Sequence, residues 1–228
     1  MPDAAAPARL SPSLRVFVTG GTGVLGRAAL PLLRGEGYDI VAPGSSELDL
    51  FDPRAVAAAV DGSTAVLHLA TRIPSPAARC RAGAWAENDR LRAEASRILV
   101  DAALRAPTVV YVQPTVTFVY PDGPADEDTP LGEVPSTLRS ALVAEEQAAR
   151  FVRAGRRGVV LRLGVLDGPG TENPAPAPAV GATLHADDAG RALVAALTVA
   201  SGTYNVCRDG ERVSNARFRA ATGWRPER

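Results

Sequence analysis

Three glycines near the start of the chain have the spacing of sites that bind a pyrophosphate. Gly20, Gly23 and Gly26 follow an apolar run ending at Thr19 and precede a helix-like stretch. A strand that turns tightly into a helix needs glycines there because the backbone must approach the phosphates closely, and free N–H groups at the helix N-terminus favour the anion. The pattern predicts a dinucleotide site built from Gly20, Gly23, Val24, Leu25 and Gly26.

The turn after the second predicted strand should decide between the two nicotinamide cofactors. A carboxylate there would bind the ribose 2′-hydroxyl and favour NAD. This chain instead has Gly44, Ser45 and Ser46, whose backbone and hydroxyl groups could accept a 2′-phosphate, with Arg27 as a further candidate and Glu47 as the first carboxylate. We expect NADP(H) to be preferred. The alternative is a flexible turn that tolerates both cofactors.

Composition excludes several classes of partner. All 25 basic residues are arginines, and 25 acidic residues balance them, so the overall charge gives no reason to expect nucleic acid or an anionic membrane. No apolar run has membrane-spanning length, and we expect a cytoplasmic protein. The two cysteines, Cys80 and Cys207, lack His/Cys partners at ligand spacing, so we expect no metal and no disulfide.

Strand-like and helix-like segments alternate along the chain. This rhythm predicts an α/β fold, a Rossmann-like doubly wound parallel sheet with a small C-terminal substrate-binding portion. The length suits a single NAD(P)-binding domain over residues 14–228 after a disordered tail at residues 1–13. Proline-rich stretches interrupt the rhythm and predict substrate loops near residues 121–137 and 167–184.

Motifs from Leu14 onward resemble the extended short-chain dehydrogenase/reductase family, in its sugar-epimerase-like branch. Besides the glycines, they include residues 49–52, 68–70, 161–164, 185–188 and 204–206. The resemblance implies that Asp49 and Leu50 border the adenine. It also implies contacts to the nicotinamide half of the cofactor from Leu69, Ala70, Thr71, Leu163, Gly164 and Val165.

The two histidines are expected to be structural. His68 lies on an apolar strand, which is typical of a buried, hydrogen-bonded histidine. His185 precedes Asp187 and Asp188 at a helix start, where we expect the carboxylates to cap the helix.

The proton-transfer pair of the resembled family is missing. In that family a Tyr-x-x-x-Lys pair on a helix supplies the proton and a Ser or Thr holds the carbonyl. Aligned on Glu146, this chain has Leu138 at the tyrosine position and Leu142 at the lysine position, and we expect both to line an apolar pocket.

Hydroxyl groups near the end of the preceding strand are the remaining candidates for polar contacts to a substrate. Thr115 is the first candidate for the hydrogen bond to a carbonyl, and Thr117 is the second. Thr117 and Tyr120 are assigned to the substrate pocket. A threonine hydroxyl can donate a hydrogen bond, but its pKa is too high for an independent proton source at neutral pH.

The favoured function is an NADPH-dependent ketoreductase that acts on an aromatic polyketide ketone and draws its proton from the substrate. It resembles the atypical polyketide ketoreductases of angucyclinone biosynthesis. Positioning alone can contribute on the order of 7–11 kcal/mol, so loss of an acid worth about 10²–10⁴ in rate need not abolish reduction. The alternatives are a non-catalytic NADP-binding regulator and a nucleotide-sugar epimerase or dehydratase. We expect a monomer or homodimer whose partner is the small aromatic ketone.

Overall fold

The computed structural model describes residues 14–177 and 181–228. The predicted tail at residues 1–13, and residues 178–180 of the second predicted loop, lie outside the described residues.

Six parallel strands form the central sheet. In chain order they are β1 (Arg15–Thr19), β2 (Asp39–Val41), β3 (Ala65–His68), β4 (Val110–Val116), β5 (Arg157–Leu163) and β8 (Gly202–Val206). Their spatial order is β2-β1-β3-β4-β5-β8, and every neighbouring pair is parallel. The chain winds outward in both directions from β1 and β3, which creates a crevice at their carboxyl ends. The predicted Rossmann-like fold is confirmed.

Helices cover both faces of this sheet. Their bounds are α1 (Val24–Gly35), α2 (Pro53–Val60), α3 (Ala86–Arg90), α4 (Ser96–Arg105), α5 (Arg139–Arg153), α6 (Ala186–Ala196) and α7 (Ala216–Thr222). A π-helical turn over Leu91–Ala95 joins α3 to α4, so the chain is helical from residue 86 to 105. Asp52 begins α2 by accepting hydrogen bonds from the backbone N–H groups of Arg54 and Ala55.

The alternation of side chains along β1 explains the two layers. Val16 and Val18 point to one face, where they pack with Leu33 of α1 and Leu193 of α6. Phe17 points to the other face and belongs to the cluster that contains residues of α2, α4 and α5. Since the side chains of Val16, Phe17 and Val18 are all fully buried, the strand needs a helix layer on each side.

A smaller portion lies beyond the carboxyl end of the sheet. Strands β6 (Val165–Asp167) and β7 (Thr183–His185) form a separate parallel pair. A third apolar cluster packs residues 119–134 against Ala182, Cys207 and Val213. The first predicted loop has no helix or strand before a 3-10 turn at Ser136–Leu138. At the ends of the second predicted loop, near residues 167–184, residue 167 belongs to β6 and residues 183–184 belong to β7.

The start of α6 differs from the prediction. His185 itself is the N-cap, and its Nδ1 accepts a hydrogen bond from the N–H of Asp187 (3.2 Å). Asp188 is fully buried and accepts from Arg191 and from the N–H groups of Glu227 and Arg228. The prediction that carboxylates cap this helix was therefore wrong, and Asp188 instead holds the C-terminal residues.

His68 joins three elements at the carboxyl edge of the sheet. Its Nδ1 lies 2.8 Å from Oγ1 of Thr19, at the end of β1, and its Nε2 lies 3.0 Å from the carbonyl oxygen of Leu91 in the π turn. Because the Leu91 carbonyl can only accept, Nε2 carries the ring proton and donates to it. The Nδ1 of the neutral ring then accepts from the Thr19 hydroxyl, which itself accepts from the N–H of Ala70. Burial lowers the pKa of His68 to about 4. As predicted, this histidine is buried and hydrogen-bonded.

Mild acid should destabilise the fold through His68. The unfolded chain takes up this proton near pH 6.5 and the folded chain only near pH 4, so stability is lost as the pH falls through that window. The loss reaches about 3 kcal/mol at full protonation. Urea unfolding of the wild type and of His68→Gln from pH 7 to 5 measures it: the wild type should lose stability more steeply. Parallel profiles would contradict the prediction.

Candidate functional site

The glycine turn between β1 and α1 packs directly on the end of β3. Gly20 has a φ of +69°, and a Cβ atom on it would lie 2.6 Å from the backbone nitrogen of Ala70. A Cβ on Gly26 would lie 2.5 Å from the carbonyl oxygen of Gly20. Neither position accepts a side chain without displacing backbone, which explains two of the three glycines.

The N-terminus of α1 is open to an anion. Gly23 is the N-cap, no side chain among the described residues caps the helix, and its first turn has no acidic residue. Val24 and Leu25 follow as half-buried residues. Arg27 donates to the carbonyl of Thr22, within the glycine turn. The uncapped N–H groups and the close-packed glycines fit the pyrophosphate of a dinucleotide.

The turn after β2 already binds an anionic oxygen. The N–H of Gly44 donates to Oε2 of Glu47 at 2.6 Å, and the N–H of Glu47 donates to the Gly44 carbonyl at 3.0 Å. Ser45 and Ser46 are exposed at the tip. The fold thus brings Glu47, which the sequence analysis named as the first carboxylate after Ser46, back onto the turn itself.

Next to this turn lie the residues assigned to the adenine. Asp49 is exposed, and its Oδ1 accepts from the N–H of Phe51 at 2.9 Å, which orients the carboxylate. Leu50 is half-buried and packs against the apolar cluster beneath α2.

The ends of two further strands complete the cofactor edge, which is the edge of the sheet at which the cofactor is predicted to bind. After β3, Leu69 is buried, Ala70 is half-buried and Thr71 is exposed. After β5, a Cβ on Gly164 would lie 2.8 Å from the carbonyl group of Thr183, so β7 crosses directly over this glycine, and Leu163 and Val165 flank it. The structure brings the predicted positions to the carboxyl ends of β1, β3 and β5. Their contacts to a cofactor stay predictions.

A buried polar network occupies the place where the catalytic hydroxyls were predicted. The guanidinium of Arg162 on β5 donates to both carboxylate oxygens of Glu145 on α5, at 3.0 and 2.6 Å. Thr115 donates to the same carboxylate at 2.8 Å. Arg162 also donates to the hydroxyl of Tyr120 at 2.9 Å, and Tyr120 donates to Oδ1 of Asn205, also at 2.9 Å.

In this network, both predicted hydroxyl groups donate their hydrogen bonds to acceptors within the protein. The single proton of Thr115 is directed at Glu145, and the residue is only 4% exposed, so the structure does not show the predicted donor to a substrate carbonyl. Tyr120 is 5% exposed rather than open to a pocket, and burial raises its pKa above the usual value near 10. Sequence reasoning missed Glu145 and Asn205, although Arg162 and Asn205 belong to motifs that it singled out.

The remaining pocket candidates lie beside this network. Leu138 ends the 3-10 turn and is the N-cap of α5, and Leu142 lies one turn later. Both are half-buried against the cluster that contains Val119 and Tyr120. Thr117 is fully buried, and its hydroxyl has no hydrogen-bond partner within the described residues.

Over residues 14–177 and 181–228, no three or more His, Cys, Asp or Glu side chains lie together in a way that could hold a metal ion. Of the helices in that part of the chain, none is long and apolar enough to cross a membrane.

Among proteins of known function, the chain is similar to a 3-diazoavenalumate denitrifying reductase of a Streptomyces species. The two are 33% identical, and the alignment covers 86% of this chain and 76% of the relative.

Solved structures show the same fold. An NAD-bound short-chain dehydrogenase/reductase superfamily protein of Agrobacterium tumefaciens has a TM-score of 0.75 at 22% identity, covering 94% of this chain and 93% of the other. RMD of Pseudomonas aeruginosa, complexed with NADPH, has a TM-score of 0.76 at 20% identity, covering 94% of each chain. At these identities the likeness concerns the fold. Residues 16–182 match the model of the NAD dependent epimerase/dehydratase family, and the chain belongs to that family.

Proposed function

We propose that this protein is an NADPH-dependent reductase that delivers hydride to a ketone of an aromatic polyketide, with the proton supplied by the substrate. One observation carries the proposal. The glycine turn that fits a dinucleotide lies next to a site whose expected proton donors are either replaced by leucines or hydrogen-bonded to protein acceptors. Leu138 and Leu142 replace the tyrosine and lysine, and Thr115 and Tyr120 donate to protein acceptors.

When bound, the cofactor supplies a hydride from its nicotinamide ring. The chain's own residues would then hold the substrate and exclude water. A planar aromatic ring suits the apolar surface of Leu138 and Leu142, and correct positioning alone contributes on the order of 7–11 kcal/mol to such a reaction.

The reaction balances without a proton from the protein. Hydride forms a bond to the carbonyl carbon, and the π electrons of the carbonyl move to oxygen. A phenol beside the ketone, already hydrogen-bonded to that oxygen, passes its proton to the alkoxide. The phenolate then recovers a proton from water. No step requires a protein group with a pKa near neutrality.

A second candidate function follows from the Streptomyces relative, whose name describes reductive loss of nitrogen from a diazo compound. For the cationic diazonium form of such a compound, hydride forms a bond to the carbon that bears the nitrogen, and the C–N bond breaks as dinitrogen departs with its electron pair. This chemistry needs no proton donor, which also agrees with Leu138 and Leu142.

A direct assay separates the two candidates. The pure protein is incubated with NADPH and either hydroxylated quinones or an aryl diazonium salt, and loss of nicotinamide absorbance is followed together with release of nitrogen. Gly26→Val, which cannot form the glycine turn, corrects for uncatalysed reduction. Turnover of the quinones supports the ketoreductase, and turnover of the diazonium salt alone supports the second function. No protein-dependent turnover of either would contradict both.

Cofactor preference should respond to the carboxylate on the turn after β2. Glu47 lies at Gly44, a position at which a carboxylate favours NAD, so the preference for NADPH expected from the sequence requires the 2′-phosphate to displace this carboxylate. Glu47→Gln should strengthen NADPH binding roughly fivefold, from about 1 kcal/mol of relieved repulsion. Gly44→Asp should shift preference towards NADH.

Glu36→Gln is the matched control for the cofactor titrations, since Glu36 is exposed at the far end of α1. Equal or tighter binding of NADH by the wild type would contradict the assignment of NADPH. An unchanged NADPH affinity in Glu47→Gln would show that the 2′-phosphate binds elsewhere.

Shortening the apolar wall should weaken substrate binding. Leu138→Ala should raise KM more than it lowers kcat, because the side chain contacts substrate and carries no proton. Val143→Ala, at an exposed position on the same helix, should change neither constant. A steep fall in kcat at unchanged KM would show that the leucine is needed mainly in the transition state.

Methylation of the phenol next to the ketone should suppress reduction far more than loss of either buried hydroxyl. Thr115→Val removes one buried hydrogen bond and Tyr120→Phe removes two, so we expect the free energy of unfolding to fall by about 1 kcal/mol and about 2 kcal/mol, respectively. Their effect on kcat should stay within about tenfold. Reduction of the methylated ketone at the parent rate, together with an inactive Tyr120→Phe, would place the proton source in the protein.

A further inference from the structure

The π-helical turn between α3 and α4 carries a buried arginine. Arg92 is 8% exposed, and its Nη1 atom is fully covered with no hydrogen-bond partner in the part of the chain that the structure describes. Single π turns within α-helices occur frequently at functional sites.

A second unpartnered donor lies on the same side of the helix. Asn88 is fully buried four residues before Arg92, and its Nδ2 also lacks a partner among the described residues. The amide orientation is defined, because Oδ1 of Asn88 accepts from the backbone N–H of Arg72 at 3.1 Å. Two N–H donors are therefore left without an acceptor.

These donors lie at the predicted cofactor edge. Arg72, which holds Asn88, directly follows Thr71 in the segment after β3. Leu91, next to Arg92, is held by His68 at the end of β3. The helix face that carries Asn88 and Arg92 therefore lies next to the end of β3, which is predicted to contact the nicotinamide half of the cofactor.

Leaving these groups unpaired is costly for the free protein. A buried donor without an acceptor lowers the stability of the fold, and an incompletely paired buried charge lowers it further. Burial lowers the pKa of Arg92 while the charge of Asp89 raises it, and the Asp89 carboxylate itself accepts a hydrogen bond from Ser140 at 2.6 Å. Such a cost is typical of groups whose partner arrives with a ligand.

A cavity of about 410 Å³ opens beside α3, although Asn88 and Arg92 are not among its lining residues. Asp89 and the aromatic side chain of Trp85 line it, together with Arg79, Arg81 and Ser136. An aromatic body of moderate size fits this volume, and two of the lining residues are basic.

We propose that Nη1 of Arg92 and Nδ2 of Asn88 bind an anionic oxygen of the substrate, a carboxylate or phenolate. The proposal rests on the reductase function, because it assigns the acceptor to the substrate rather than to the cofactor. It locates the polar end of the aromatic substrate at the π turn, while the apolar wall of Leu138 and Leu142 contacts the ring.

Calorimetric titration of a defined probe tests this site. The probe is 4-hydroxycinnamate, added to the protein saturated with NADP⁺, and its methyl ester is the uncharged comparison. We expect the wild type to bind the carboxylate at least tenfold more tightly than the ester. Arg92→Met should lose that difference, and its free form should have a higher Tm because an unpaired buried charge is gone.

Further variants keep the test decisive. Asn88→Asp retains the acceptor for Arg72 and removes the donor, so it should weaken the carboxylate even if Arg92→Met does not fold. Arg97→Met, at an exposed arginine beyond the π turn, removes the same charge and should change nothing.

The outcomes separate this proposal from the function on which it rests. Equal affinity of wild type and Arg92→Met for 4-hydroxycinnamate, or weakened NADP⁺ binding in Arg92→Met with the probe unaffected, would overturn the site. If NADPH-dependent reduction persists in that case, only this proposal fails. If Arg92→Met loses the selectivity for the carboxylate but the wild type never oxidises NADPH, the anion site is supported and the reductase function is not.

Discussion

The buried ion pair between Arg162 and Glu145 determines what the rest of the site can do. It joins β5 to α5 through two hydrogen bonds and draws in Thr115 on one side and Tyr120 on the other. Bidentate hydrogen bonds between an arginine and a carboxylate are strong and directional. Loss of either partner leaves an unpaired buried charge, which lowers the free energy of unfolding by about 3–5 kcal/mol. The hydroxyls of Thr115 and Tyr120 are therefore engaged within the protein, which supports the proposal that the substrate supplies the proton.

The cofactor edge depends on close backbone contacts rather than on side chains. Gly20 lies on the end of β3, Gly26 on the glycine turn, and Gly164 under β7. The Thr19–His68–Leu91 chain of hydrogen bonds fixes the π turn relative to the same edge. Arg92 is thereby held beside the crevice, and a rigid frame of this kind can keep an unpaired donor in place until a ligand arrives.

Features that depend on local pattern could be predicted from the sequence. The glycine spacing, the alternation of strands and helices, and the burial of His68 follow from turn geometry and periodicity, and the structure agrees with them. The engagement of Thr115 could not be predicted, because Glu145 lies 30 residues away and meets it only when α5 packs on β4. Strands β6 and β7 have three residues each, too few to show a period. The donors of Asn88 and Arg92 that lack a partner within the described residues could not be predicted either, because the sequence does not show what surrounds a side chain.

The source of the proton is the central claim, and the pH dependence of hydride transfer tests it most directly. Single-turnover rates with NADPH are measured from pH 6 to 9 for ketones whose neighbouring phenols differ in pKa by substituents remote from the carbonyl. The account predicts that the inflection in the profile moves with the pKa of each substrate's phenol. An inflection at one pH for every substrate would assign the proton to a group of the protein and contradict the account.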